Sequence, residues 1–196
     1  VYAGKAPLNH LMAGDIKYVD VNGDGVINTG ANTLDDPGDR KIIGNSKPRY
    51  NYSFRGDLSW YGVDLQVFFQ GVGKMNWMPD ANCIYFWNTY SYHRPTFIPK
   101  DFEEKCWSSE EGADNSNALY PRRRGRMSNG SNLVTSDYWL QNASYIRLKN
   151  LTVGYTLPLK TKAVEKVRFY FSGENLWYWS PMKKWTSAVD PEVATT

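Results

Sequence analysis

Arg49-Tyr50-Asn51-Tyr52-Ser53-Phe54-Arg55-Gly56-Asp57-Leu58-Ser59-Trp60, then Tyr61-Gly62, then Val63-Asp64-Leu65-Gln66-Val67-Phe68-Phe69, is the stretch that decides the fold. Tyr50, Tyr52, Phe54, Gly56, Leu58 and Trp60 alternate with polar or charged neighbours. A period of two held over that length predicts a β-strand with one apolar and one polar face. After Tyr61-Gly62 the apolar set moves to odd positions: Val63, Leu65, Val67 and Phe69. A two-residue turn at Tyr61-Gly62 would pair Trp60 with Val63, Leu58 with Leu65, Gly56 with Val67 and Phe54 with Phe69. Both apolar faces then fall on one side of a hairpin. Phe68 alone points to the polar side.

Two further strands are predicted at roughly 145–157 and 167–179. Leu151, Val153, Tyr155 and Leu157 share one parity, whereas Ile146 and Leu148 share the other, which calls for a bulge near Lys149-Asn150. Val167, Phe169 and Phe171 carry the fourth strand, reached through the short lysine-rich connection from Pro158 to Lys166. Between the hairpins, residues 73–138 show no sustained period and are rich in Pro, Trp, Asn and Gly. A connection that long is foreign to a compact soluble domain but normal for an outer-membrane barrel, whose turns are short on one side and long outside. The strands also exceed the usual five or six residues and suit the roughly 9 to 11 that cross a bilayer at a tilt. Aromatic residues gather at their ends, as Tyr50, Tyr52 and Trp60 and again as Trp177, Tyr178 and Trp179. The expectation is an all-β chain, part of a transmembrane β-barrel built from antiparallel hairpins. Four strands cannot close such a barrel, for which about eight are needed.

Composition agrees with this reading. The chain has 196 residues, 15% of them aromatic, and a net charge of +3. That charge is too balanced for a protein whose affinity rests on nucleic-acid phosphates. No run of about 20 apolar residues predicts a spanning helix. Cys83 and Cys106 are the only cysteines, so a single loop-stapling disulfide is the most they can form. The start at Val1-Tyr2-Ala3-Gly4-Lys5 has no signal peptide, which reads as a piece of something larger.

Several motifs in order resemble the C-terminal third of SusC/RagA-type TonB-linked outer-membrane transporters. They are Gly14-Asp15-Ile16-Lys17-Tyr18-Val19-Asp20-Val21-Asn22-Gly23-Asp24-Gly25-Val26-Ile27, Asp39-Arg40, Ile43-Gly44-Asn45 and Asp64-Leu65-Gln66-Val67-Phe68-Phe69-Gln70-Gly71. Ser144 to Pro158, Ser172-Gly173-Glu174-Asn175-Leu176 and Asp190-Pro191-Glu192-Val193 continue the set. The resemblance implies a plugged barrel of about 22 strands, located in the bacterial outer membrane among its lipids and energised by the TonB complex through a region outside this chain. It also implies import of glycan oligosaccharides or peptides with a SusD-like surface lipoprotein as lid. On it, residues 1–48 form an extracellular segment, 49–72 a barrel-wall hairpin, 73–138 a long extracellular loop, 139–180 a second hairpin and 181–196 the start of another outer loop.

Asp20-Val21-Asn22-Gly23-Asp24-Gly25-Val26-Ile27-Asn28 opens like a calcium loop. Oxygen side chains stand at positions 1, 3 and 5, Gly at 6, a backbone carbonyl at 7 and an oxygen at 9. Position 12 is Ala31, and an insertion separates Asn28 from Asp39, the acid that matches the family pattern; Asp35 and Asp36 are nearer substitutes. The candidate ligands for a structural Ca²⁺ are therefore Asp20, Asn22, Asp24, Val26, Asn28 and Asp39. The plainer reading is a set of Asx turns. In the long loop, Trp77, Tyr85, Trp87 and Tyr90 beside asparagines are candidate substrate contacts, with packing of the loop as the plainer reading. Arg122-Arg123-Arg124-Gly125-Arg126 reads as a solvated loop or an anchor of local salt bridges, or else as a patch for an anionic partner.

No catalytic residue is expected. His10 and His93 lack a nucleophile context, and HExxH, GxSxG and P-loop motifs are absent from the sequence. Two rival readings stand beside the importer: a soluble calcium-stabilised β-domain that binds carbohydrate, and a fragment of a secreted glycan-processing enzyme using acids such as Glu103 and Glu104.

Overall fold

A computed structural model describes residues 11–79, 102–122, 132, 134–159, 161, 164–187 and 189–194. Contacts divide the chain into two units. One takes in Val1–Gly44 and Met78–Leu140, the other Asn45–Trp77 and Gln141–Thr196.

The second unit carries the wall. Strands β1 (Tyr50–Trp60), β2 (Val63–Gly73), β5 (Tyr145–Pro158) and β6 (Lys166–Trp179) form one antiparallel sheet in the order β1-β2-β5-β6. A two-stranded sheet of β3 (Asn76–Trp77) and β4 (Gln141–Asn142) lies apart from it. The first hairpin has the register that alternation demands, with Trp60 opposite Val63, Leu58 opposite Leu65, Gly56 opposite Val67 and Phe54 opposite Phe69. Its turn has φ of +45° at Tyr61 and +83° at Gly62. Positive φ at both central residues is the type I′ pattern, whose twist suits the flanking strands.

Lys149 is the extra residue that flips parity along β5. Phe68 pairs with Asn150 and Phe69 with Leu148, leaving Lys149 without an opposite number on β2. On β6 the same irregularity falls between Glu174 and Trp177, where Asn175 has φ +53°. The bulge keeps Ile146, Leu148, Leu151, Val153 and Tyr155 on one face.

Successive rows across that face run Tyr52-Gly71-Ile146-Trp179, Phe54-Phe69-Leu148-Trp177, Gly56-Val67-Leu151-Gly173, Leu58-Leu65-Val153-Phe171 and Trp60-Val63-Tyr155-Phe169. From first row to last is eight residues of strand, or about 27 Å at ~3.4 Å each. The rows are aliphatic in the middle and aromatic toward both ends. Little among the described residues covers this face, since Phe54, Leu58, Trp60 and Phe169 are all more than 60% exposed. The small core of this unit lies elsewhere, where Val72, Met75, Ala143, Tyr145 and Met182 are buried together and Trp77 packs against them. β1 and β6 are edge strands, so the sheet is open at both sides. No described helix is long and apolar enough to cross a membrane, which says nothing about strands.

In the first unit, helix α1 (Phe102–Lys105) and a bridge between Cys106 and Tyr120 order part of the long loop. Asp15 organises the rest. It takes both arms of the Arg122 guanidinium at 2.9 Å and accepts from the Asn132 amide at 2.9 Å. The buried Asn132 in turn accepts from Ile16 N–H at 3.0 Å, and its carbonyl accepts from the Trp139 indole at 2.7 Å. Arg122 is thus a local anchor, and Arg123, Arg124 and Arg126 lie outside the described residues.

Candidate functional site

The face opposite the apolar one is the candidate for solute contact. Its rows are Ser53-Gln70-Arg147-Tyr178, Arg55-Phe68-Asn150-Glu174, Asp57-Gln66-Thr152-Ser172 and Ser59-Asp64-Gly154-Tyr170. The side chains pair with one another along and across the strands. Arg55 donates to Asp57 at 2.8 Å, Thr152 and Ser172 share a hydroxyl bond at 3.1 Å, and Arg168 reaches Asp64 at 3.1 Å. Phe68 keeps the exceptional position its parity assigns and lines a shallow polar hollow with Arg55, Gln66, Asn150 and Thr152. A surface of paired charges, amides and hydroxyls suits a water-filled interior, and the opposite face suits hydrocarbon.

At the end of this face the chain after β6 folds back. Ser180 caps a 3₁₀ turn at Pro181–Lys184, and Met182 enters the small core. Arg147, only 7% exposed at its side chain, pairs with Asp190 and Glu192, while Lys149 Nζ meets Glu192 at 2.6 Å. Asp190 is partly buried, which would raise its pKa. The Arg147 guanidinium and the Glu192 amide outweigh that and hold it below the ordinary carboxylate range.

The expected calcium loop is tightly self-bonded. Asp20 accepts from the amides of Gly23 at 2.6 Å and Gly25 at 2.8 Å, Asn22 from Asp24 at 3.1 Å, and Asp24 from Val26 at 2.7 Å. Gly23 and Gly25 take φ of +77° and +81°, which turns the loop. Asp39 is fully buried and ties the loop ends together, accepting from Asn28 N–H at 2.6 Å and Val21 N–H at 2.7 Å. Those amides lower its pKa. Among the described residues no three Asp, Glu, His or Cys side chains gather as a metal-holding group. Amide and carbonyl oxygens of Asn22, Val26 and Asn28 would have to complete any cation shell.

Of the aromatic candidates for substrate contact, Trp77 is half-buried on β3 against the Val72 and Met75 core. Tyr85, Trp87 and Tyr90 lie outside the described residues, as does Cys83. Glu103 and Glu104 are exposed on α1. Sequence reasoning missed the Arg147, Lys149, Asp190 and Glu192 cluster and the Asp15 node, because nothing local ties partners that far apart.

No family model matches the chain. TonB-dependent receptor P3 of Formosa agariphila is 30% identical over 177 residues, which is 81% of this chain and 14% of that protein. TonB-dependent receptor P26 of the same organism is 26% identical over 186 residues, 92% of this chain and 16% of that protein. The chain therefore spans about one-sixth or less of the curated relatives it matches. Among solved structures, the RagAB peptide importer in its closed-closed state superposes with a TM-score of 0.53 at 24% identity, covering 82% of this chain and 16% of that one. The open-open state gives a TM-score of 0.52 at 23% identity over the same shares. Both show a likeness of fold, and the curated relatives are receptors by name, not enzymes.

Proposed function

We propose that this chain, a segment of a SusC/RagA-type TonB-linked outer-membrane protein, forms part of the wall and outer loops of an importer. The importer takes up glycan oligosaccharides or peptides under a SusD-like surface lipoprotein, with energy from the TonB complex. The observation that carries it is the two-faced sheet. Rows of aliphatic side chains banded by aromatics lie bare on one side, ion pairs and hydroxyls fill the other, and both edges await neighbouring strands. A soluble β-domain would bury Phe54, Leu58, Leu65 and Phe69 against a second sheet. The full-length protein expressed in an outer membrane tests this. A heat-modifiable barrel that co-purifies with a surface lipoprotein supports the reading, and a product monomeric without detergent overturns it.

A structural Ca²⁺ in the segment 20–39 is a second proposal. It is favoured by the buried Asp39, which meets two amides and is paired with no cation among the described residues. When bound, the ion would neutralise those acids and stiffen the loop; it has no catalytic part.

A further inference from the structure

The first unit holds a cleft of about 380 Å³ that the importer reading leaves unused. Its floor is apolar, with Ile16 and Tyr18 buried and Ile43 and Tyr138 alongside. The Tyr138 hydroxyl is already engaged, donating to the Leu119 carbonyl at 3.0 Å. Ser136 is 2% exposed, lines the cleft, and its Oγ has no hydrogen-bond partner among the described residues. A buried hydroxyl left unpaired is costly, so a ligand atom that completes it gains that energy back. Lys17, Lys41 and Asp137 stand exposed at the rim, and no ion pair engages them among the described residues. Two amines against one carboxylate leave the rim positive.

A sugar ring brings several hydroxyls that each need a partner, and a floor of isoleucine side chains and tyrosine rings, with the Tyr138 hydroxyl already donated to the Leu119 carbonyl, would strand most of them. An apolar side chain loses nothing there. We propose that this cleft binds a carboxylate carried next to an apolar side chain. The side chain lies between Ile16, Tyr18 and Tyr138, the carboxylate meets Lys17 and Lys41, and the Ser136 hydroxyl donates to a neighbouring carbonyl. This chemistry comes from a free N-acyl amino acid or from the C-terminal end of a peptide. The inference deepens the importer reading and rests on it.

The test is calorimetric titration of the full-length receptor in detergent with N-acetyl-phenylalanine and with N-acetyl-Ala-Ala-Phe, each as acid and as amide. The acids bind about tenfold more tightly than the amides. Lys17→Gln with Lys41→Gln brings the acids to the level of the amides, and Ser136→Ala weakens acid and amide alike about fivefold. Ser136→Ala removes a hydroxyl that has no partner, so its melting temperature does not fall and misfolding does not confound it. Tighter binding of the tripeptide acid assigns the site to peptide ends, and equal binding assigns it to free acids. Equal affinity for acid and amide, no binding of either, or an unchanged affinity in Ser136→Ala overturns the proposal. A receptor that inserts as a heat-modifiable barrel yet ignores the acids sinks the cleft alone, and one that fails to insert sinks the importer reading.

Discussion

Arg168 on β6 reaches Asp64 on β2 across an intervening strand, through the gap that Gly154 leaves on β5. A Cβ at Gly154 would stand 2.5 Å from the Asp64 carboxylate and 2.8 Å from the guanidinium. The ion pair thus spans two ladders because one residue between them has no side chain. Both partners are partly exposed, so the pair itself contributes little. Gly154→Val loses the pair and adds a clash, for a total of about 2 kcal/mol. Denaturant unfolding of the refolded barrel should rank Gly154→Val well below Asp64→Asn. Equal losses would show that Gly154 has no spacing role.

The two faces predict opposite tolerance to charge. Leu151 sits in the middle row of the apolar face and Thr152 follows it on the polar one. Leu151→Arg should cost about 2 to 4 kcal/mol in a bilayer, and Thr152→Arg about 1 or less. Folding into lipid vesicles, read by heat-modifiable migration, checks the contrast. Similar behaviour of the two variants would mean that Leu151 does not face hydrocarbon.

The wall was legible in the sequence for a physical reason. Alternation over β1 and β2 fixes which residues share a face, and the Tyr61-Gly62 turn fixes how the strands meet, so the register had one solution. The change of parity after Leu148 announced the Lys149 bulge in the same way. The Asp15 node, the Arg147 cluster and the β3-β4 pair were not legible, because each joins residues far apart with no period to record the pairing. Arg122 stood out only as one of a charge run, and its partner Asp15 only as part of a motif. Ser136 carried no signal at all, since its isolation is a property of the packed cleft.

Arg147 holds the chain after β6 against the wall through Asp190 and Glu192. Arg147→Ala leaves those carboxylates without their main counter-charge, though Lys149 still reaches Glu192. With both acids about one-third exposed, the expected loss is about 2 kcal/mol. Limited proteolysis should then cut within 185–194 before the sheet opens. An unchanged cleavage pattern would show that Met182 and its core suffice to hold the segment.

Asp39 gives the 20–39 loop an acid-side pH response. Its folded pKa is lowered by the amides of Asn28 and Val21, so near pH 4 the unfolded chain binds more protons than the folded one. The stabilisation is therefore fully present above about pH 4 to 5 and is lost as pH falls through the lower folded value. Hydrogen exchange of peptides covering residues 20–39 should show protection falling on that acid side, and Asp39→Asn should abolish the dependence and speed exchange roughly tenfold at pH 7. Calcium adds a second axis. An ion held by carboxylate, amide and carbonyl oxygens of the 20–39 loop would bind only the folded loop, so millimolar Ca²⁺ should slow exchange there and a chelator should reverse it. If protection follows pH but ignores both Ca²⁺ and chelator, the amide network around Asp20 and Asp39 accounts for the loop without an ion.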